Sequence, residues 1–135
     1  MARDKGMSVH MDGARLMNAV VASGVAAKTY ASLVDTAWLD LSKGLGCPVG
    51  GVLAGEAAFI EKAWRWRHRF GGAMRQAGIL AAAGSWALAH HIDRLAEDHD
   101  NARFLADRLQ SIEGISLINE AVESNLVFFD VGNTG

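Results

Sequence analysis

The segment Leu41-Ser42-Lys43-Gly44-Leu45-Gly46 lies between two apolar stretches, 36–42 and 49–54. Short apolar runs bounded by turn residues are typical of strands. The glycines between the two runs indicate a tight connection. The sequence therefore predicts a strand, a glycine-rich turn that carries Lys43, and a returning strand.

The rest of the chain alternates between strand and helix patterns. Strand patterns occupy 7–12, 115–118 and 125–131, and helical spacing of apolar residues occupies 14–24, 26–34, 56–69, 74–91 and 92–112. This alternation predicts an α/β fold.

Composition limits the classes of function. The 135 residues are half hydrophobic, 21% are charged, and the formal net charge is −2. This is an ordinary composition for a soluble globular protein, and it gives no reason to expect nucleic acid or a membrane as a partner. The single cysteine, Cys47, excludes an internal disulfide and favours a reducing compartment, most simply the cytoplasm.

Lys43 is the first candidate for chemistry. A lysine can form an imine with an aldehyde only when its amine is neutral, which a constrained or desolvated position promotes. Neighbouring glycines would let a flat ring approach closely. The alternative is an ordinary exposed lysine in a turn.

Asp12 and Arg15 come where a strand should become a helix. A carboxylate there could hold the proton of a ring nitrogen, and a guanidinium could bind a carboxylate through two hydrogen bonds. The alternative is that Asp12 caps the following helix and that Arg15 is solvated. Together with Lys43, these groups indicate pyridoxal 5'-phosphate as a cofactor.

The segment 64–69 alternates tryptophan with basic residues, and Arg75 follows a glycine pair. It could form an anion site, with Arg75 binding a phosphate. The alternatives are a solvated helix face and, less favoured in an acidic chain, a surface for single-stranded nucleic acid.

The histidines and aspartates of 90–100 lack the spacing of a metal site. His90, His91 and His99 are therefore predicted to be surface residues near helix ends. No metal is expected.

Three segments together resemble the low-specificity L-threonine aldolases of the β-eliminating lyase group. They are His10–Ala19 (HMDGARLMNA), Leu41–Gly50 (LSKGLGCPVG) and Gly71–Leu80 (GGAMRQAGIL). The match runs from about Ser8 to Val131. Their order and spacing are far more specific than any one of them alone.

The resemblance implies roles for individual residues. Lys43 would bind pyridoxal 5'-phosphate covalently, Asp12 would pair with its ring nitrogen, and Arg15 would bind the substrate carboxylate. Arg75 would reach the cofactor phosphate of a neighbouring subunit. His68 stands where the family commonly carries a lysine that also approaches the neighbour's site.

The resemblance also implies part of the fold-type I architecture of pyridoxal phosphate enzymes. Residues 1–90 would form the C-terminal part of the large cofactor-binding domain. Residues 91–135 would form a connecting helix and the start of the small domain. Because family chains are considerably longer, the chain is expected to be an internal fragment of a homo-oligomeric enzyme, a dimer or tetramer.

The implied reaction is retro-aldol cleavage of L-threonine or L-allo-threonine to glycine and acetaldehyde. Two alternatives stay open. One is a pyridoxal phosphate β-eliminating lyase that acts on another amino acid, and the other is a catalytically silent fragment.

Overall fold

A computed structural model of the chain describes residues 2–119 and 121–132. The architecture is mixed α/β, as the sequence predicts. After a short 3-10 turn at Arg3–Lys5, the elements are β1 His10–Gly13, α1 Leu16–Ser23, α2 Ala27–Ala31, β2 Thr36–Asp40, β3 Gly51–Gly55, α3 Ala57–Arg69, α4 Gly78–His90, α5 Leu95–Gln110, β4 Ile115–Leu117 and β5 Phe129–Val131.

The first three strands form one sheet in the order β1-β2-β3. β1 and β2 are parallel, whereas β2 and β3 are antiparallel. The hairpin-like connection predicted around Lys43 is therefore confirmed. β4 and β5 pair separately as a two-stranded antiparallel sheet.

Gly13 permits the close pairing at the end of β1. A Cβ atom at this position would lie 2.2 Å from the backbone oxygen of Trp38 on the neighbouring strand. No side chain tolerates such a distance from a backbone atom. Glycine is therefore required where β1 leaves the sheet.

The lysine loop, residues 41–50, supplies much of the buried core. Leu41, Leu45 and Cys47 are buried together with Ala87 of α4. Gly84 allows this packing, since a Cβ there would lie 3.0 Å from Leu41 Cδ1. The loop that carries Lys43 is thus held by hydrophobic burial beneath α4.

α5 packs against both α1 and β4. Its buried residues recur at helical spacing and are Leu95, His99, Ala102 and Ala106. The prediction that His99 is a surface residue was wrong, because it lies on the apolar stripe of α5 and is 3% exposed. The predicted domain boundary near residue 90 falls at the turn between α4 and α5 and stays a prediction.

We predict that Gly13→Ala destabilises the fold by about 1–3 kcal/mol, because the new methyl group must displace the backbone of β2. Urea unfolding followed by tryptophan fluorescence would measure the loss. Gly78→Ala is the matched control, since no atom lies within 4 Å of a Cβ built there. Equal free energies of unfolding for the two variants would contradict the packing described.

Candidate functional site

The candidate site begins at the edge of the sheet where β1 and β2 end. Parallel strands have their carboxyl ends at the same edge, and α/β sheets bind ligands there. Gly13 pairs with Leu39, so Asp12, Arg15 and Lys43 all lie at or just beyond that edge. The structure therefore brings the three sequence-predicted residues to one side of the sheet.

Asp12 forms a local turn rather than a helix cap. One of its carboxylate oxygens accepts a hydrogen bond from the backbone N–H of Ala14 at 3.0 Å. The N-cap position of α1 belongs to Arg15, without a side-chain hydrogen bond. The alternative that Asp12 caps this helix was wrong. Its side chain is exposed at the sheet edge.

Arg15 adjoins the lysine loop. Together with Asp40 and Gly44 it lines a cavity of about 10 Å³, whose walls also include Asn18 and Leu95. Because Gly44 directly follows Lys43, the guanidinium-bearing residue and the lysine belong to neighbouring segments.

Backbone hydrogen bonds hold the lysine loop in a compact shape. The N–H of Gly46 donates to the carbonyl of Lys43 at 2.9 Å, and that of Cys47 donates to Leu41 at 2.9 Å. Gly46 has a φ of +71°, a conformation that glycine adopts without strain. The Nδ1 atom of His91 donates to the Leu45 carbonyl at 2.7 Å, which ties the loop to the end of α4. Lys43 itself is exposed.

Asp40 is a site residue that the sequence analysis missed. It is 6% exposed, and its carboxylate accepts hydrogen bonds from the backbone and hydroxyl of Ser42, at 3.1 and 2.8 Å. Burial raises the pKa of this carboxyl group, but the hydrogen bonds from Ser42 and Leu41 and the charge of Lys43 outweigh it. The pKa of Asp40 is therefore lowered. The spacing of an aspartate two residues before a serine was the available signal.

His68 and Arg75 meet at a second location. Both line a cavity of about 380 Å³, whose other walls are Trp64, Arg67, Ala73 and Met74. The Nδ1 atom of His68 hydrogen-bonds to the carbonyl of Trp64 at 2.9 Å. We call these six residues, from the end of α3 and the segment after it, the α3 cluster. The α3 cluster shares no residue with the sheet-edge site.

The three arginines of α3 are engaged within the chain. Arg65 pairs with Glu61 at 2.8 Å, and the Nε atom of Arg67 donates to the Gly72 carbonyl at 2.7 Å. The guanidinium of Arg69 lies 4.9 Å from the ring centre of Trp66. These contacts point the three arginines to different partners, which is not the arrangement of a continuous nucleic-acid groove.

The fold is that of β-eliminating lyases and threonine aldolases, as comparison with known proteins shows. The family model "Beta-eliminating lyase" matches residues 1–132, and the chain belongs to this family.

Two relatives illustrate the similarity. The chain is 45% identical over 130 residues to the low specificity L-threonine aldolase of Escherichia coli strain K12, covering 96% of this chain and 38% of the relative. It is 44% identical over 131 residues to low-specificity L-threonine aldolase 1 of Arabidopsis thaliana, covering 97% and 37%. The chain thus spans little more than a third of the length of these relatives.

A solved structure shares the fold. It comes from Exiguobacterium sp. 255-15 and is described as an aromatic amino acid β-eliminating lyase/threonine aldolase. It matches with a TM-score of 0.84 at 29% identity, over 95% of this chain and 36% of that one. The expected fold class is thereby confirmed. Within the described part of the chain, no helix is long and apolar enough to cross a membrane.

We predict a pH-dependent contribution of Asp40 to stability. Its pKa is lower in the folded than in the unfolded chain, so the contribution is complete above the unfolded value of about 3.9 and is lost as the pH falls through the lowered folded pKa. Wild type should therefore exceed Asp40→Asn in free energy of unfolding at pH 7, and the gap should close in acid.

Urea titrations at several pH values would measure this gap. Asp107→Asn removes one negative charge from an exposed position of α5 and is the matched control. A gap between wild type and Asp40→Asn that stays constant down to about pH 2 would contradict the lowered pKa.

Proposed function

We propose that this chain is part of a pyridoxal phosphate enzyme that cleaves L-threonine or L-allo-threonine to glycine and acetaldehyde. The observation that carries the proposal is the gathering of Lys43, Asp12 and Arg15 at the carboxyl ends of two parallel strands. The names of the relatives, low-specificity L-threonine aldolases, support the substrate class.

The donor set fits the cofactor. Pyridoxal phosphate, when bound, accepts the electron pair released at the substrate's α-carbon. Lys43 offers an exposed amine for covalent attachment of its aldehyde carbon. The carboxylate of Asp12 would keep the ring nitrogen protonated, and Arg15 would orient the substrate through its carboxylate.

The α3 cluster is proposed to serve a second subunit. Arg75, with His68 beside it, would bind the cofactor phosphate held by a neighbouring chain. The exposed position of both residues on the rim of a cavity supports this role. It requires a homo-oligomer, which we propose to be a dimer or tetramer.

We propose that residues 1–90 form the C-terminal part of the large cofactor-binding domain and that residues 91–135 form the connecting helix and the start of the small domain. The cytoplasm is the proposed compartment, which the free, buried thiol of Cys47 supports.

Reductive trapping tests the assignment of Lys43. After addition of pyridoxal phosphate and borohydride, peptide mapping should find the pyridoxyl group on Lys43 in excess over the other lysines, which are Lys5, Lys28 and Lys62. Lys43→Ala should lose this label, and Lys62→Ala is the control. Equal labelling of all four lysines in wild type would reject an organised cofactor site.

Product analysis separates the reactions. The full-length enzyme, incubated with pyridoxal phosphate and either L-threonine or L-allo-threonine, should yield glycine and acetaldehyde in equal amounts, whereas the isolated chain is expected to be inactive. Pyruvate and ammonia from another amino acid would instead identify a different β-eliminating lyase. Specific labelling of Lys43 without either product would identify a catalytically silent fragment.

Mixed oligomers test the role of Arg75. Lys43→Ala chains supply Arg75 but no reactive lysine. Arg75→Gln chains supply Lys43 but no arginine for the phosphate. Each alone should label weakly, whereas a mixture should restore labelling of Lys43 on the isotopically marked Arg75→Gln chain. Arg65→Gln is the control, since Arg65 already pairs with Glu61. Full labelling of Arg75→Gln alone would contradict a phosphate-binding role.

A further inference from the structure

A buried polar pair lies next to the lysine loop, and its hydrogen bond has not yet been assigned a role. Asn18 of α1 and His99 of α5 are each 3% exposed, and Asn18 Nδ2 lies 3.2 Å from His99 Nε2. These residues are 81 positions apart in the sequence. The pair therefore joins two helices that only the tertiary fold brings together.

Asn18 of this pair lies close to Gly44, the residue after Lys43. A Cβ atom at Gly44 would lie 3.2 Å from Asn18 Oδ1 and 2.8 Å from Leu95 Cδ2. Gly44 therefore lies beside the Asn18 amide and Leu95, with no room for a side chain between them. We expect a displaced Asn18 amide to shift the loop at Gly44.

His99 fixes the orientation of that amide. In this arrangement Nδ2 of Asn18 donates to Nε2 of His99, and a Cβ built at Gly44 would lie closer to Oδ1 than to Nδ2 of Asn18, at 3.2 and 3.6 Å. A buried amide group left without its partner is unfavourable, which disfavours other rotamers of Asn18. The hydrogen bond therefore holds Oδ1 in place under the loop.

The same pair is linked to the other half of the site. Asn18 follows Arg15 by three residues and lies about one helical turn along α1. Both residues line the small cavity next to Asp40 and Gly44. Asn18 is thus the point at which the Asp12–Arg15 segment, the lysine loop and α5 meet.

We propose that Asn18 and His99 are positioning residues that place Lys43 for its reaction with the cofactor aldehyde, an inference that rests on the proposed function. Neither residue touches the reacting atoms. His99 acts through Asn18, and Asn18 acts through Gly44.

Two measurements test this role. Amide hydrogen exchange at Gly46 and Cys47 reports on the loop, because their N–H groups bond to Lys43 and Leu41. Borohydride trapping reports on the placement of Lys43. In His99→Ala we expect about tenfold faster loop exchange and about tenfold less pyridoxyl on Lys43, since Asn18 loses its buried acceptor.

Two further variants provide rescue and control. His99→Gln offers a carbonyl acceptor to Asn18 and should restore both exchange and labelling to near wild-type values. His90→Ala removes an exposed histidine that stacks on Trp86 and should change neither measurement.

The outcomes separate the positioning role from the proposed function. Fast loop exchange with undiminished labelling in His99→Ala would overturn the role in placing Lys43. If His99→Ala fails to fold, the test depends on His99→Gln. Fast loop exchange together with weak labelling of Lys43 in a folded His99→Gln variant would overturn the proposal. If wild type itself shows no preference for Lys43, the proposed function fails, while unchanged loop exchange in His99→Ala would separately reject the positioning of the loop.

Discussion

The burial of the lysine loop under α4 is the constraint on which the rest of the structure depends. Leu41, Leu45 and Cys47 enter the core, and Gly84 lets Leu41 approach the helix closely. A loop whose apolar side chains are buried has few alternative conformations. Burial of Leu41 and Leu45 thus places Lys43, which lies between them in the sequence, at the protein surface and at a defined position in the fold.

The parallel pairing of β1 and β2 determines which residues share an edge of the sheet with Lys43. Because the two strands end at the same edge, an aspartate at the end of one and a lysine beyond the other lie at the same edge of the sheet. Asp40 then stabilises the start of the loop by accepting two hydrogen bonds from Ser42. Core packing and strand direction together bring residues that are distant in sequence to one edge of the sheet, where the proposed site lies.

The sequence predicted what depends on local pattern and missed what depends on tertiary contact. Short apolar runs separated by glycines predicted β2, β3 and the turn between them. Residue spacing placed His99 near a helix end, yet it lies in register with Leu95, Ala102 and Ala106 on the buried stripe. The hydrogen-bond partner of His99 is Asn18, on a helix far away in the sequence. A local sequence pattern cannot predict a hydrogen bond between two such distant residues. The burial of Asp40 escaped prediction for the same reason.

The two candidate clusters differ in what supports them. The sheet-edge site rests on buried residues of this chain, whereas the α3 cluster lies among exposed aromatic side chains, with Phe70 81% exposed and Trp64 and Trp66 more than half exposed. A rigid cofactor-binding lysine needs internal support, because its geometry must be set before the ligand arrives. A residue that serves a neighbouring chain can take its final geometry from that contact. The difference in burial therefore agrees with the proposed division of labour, in which Lys43 depends on the core of its own chain and Arg75 depends on the next.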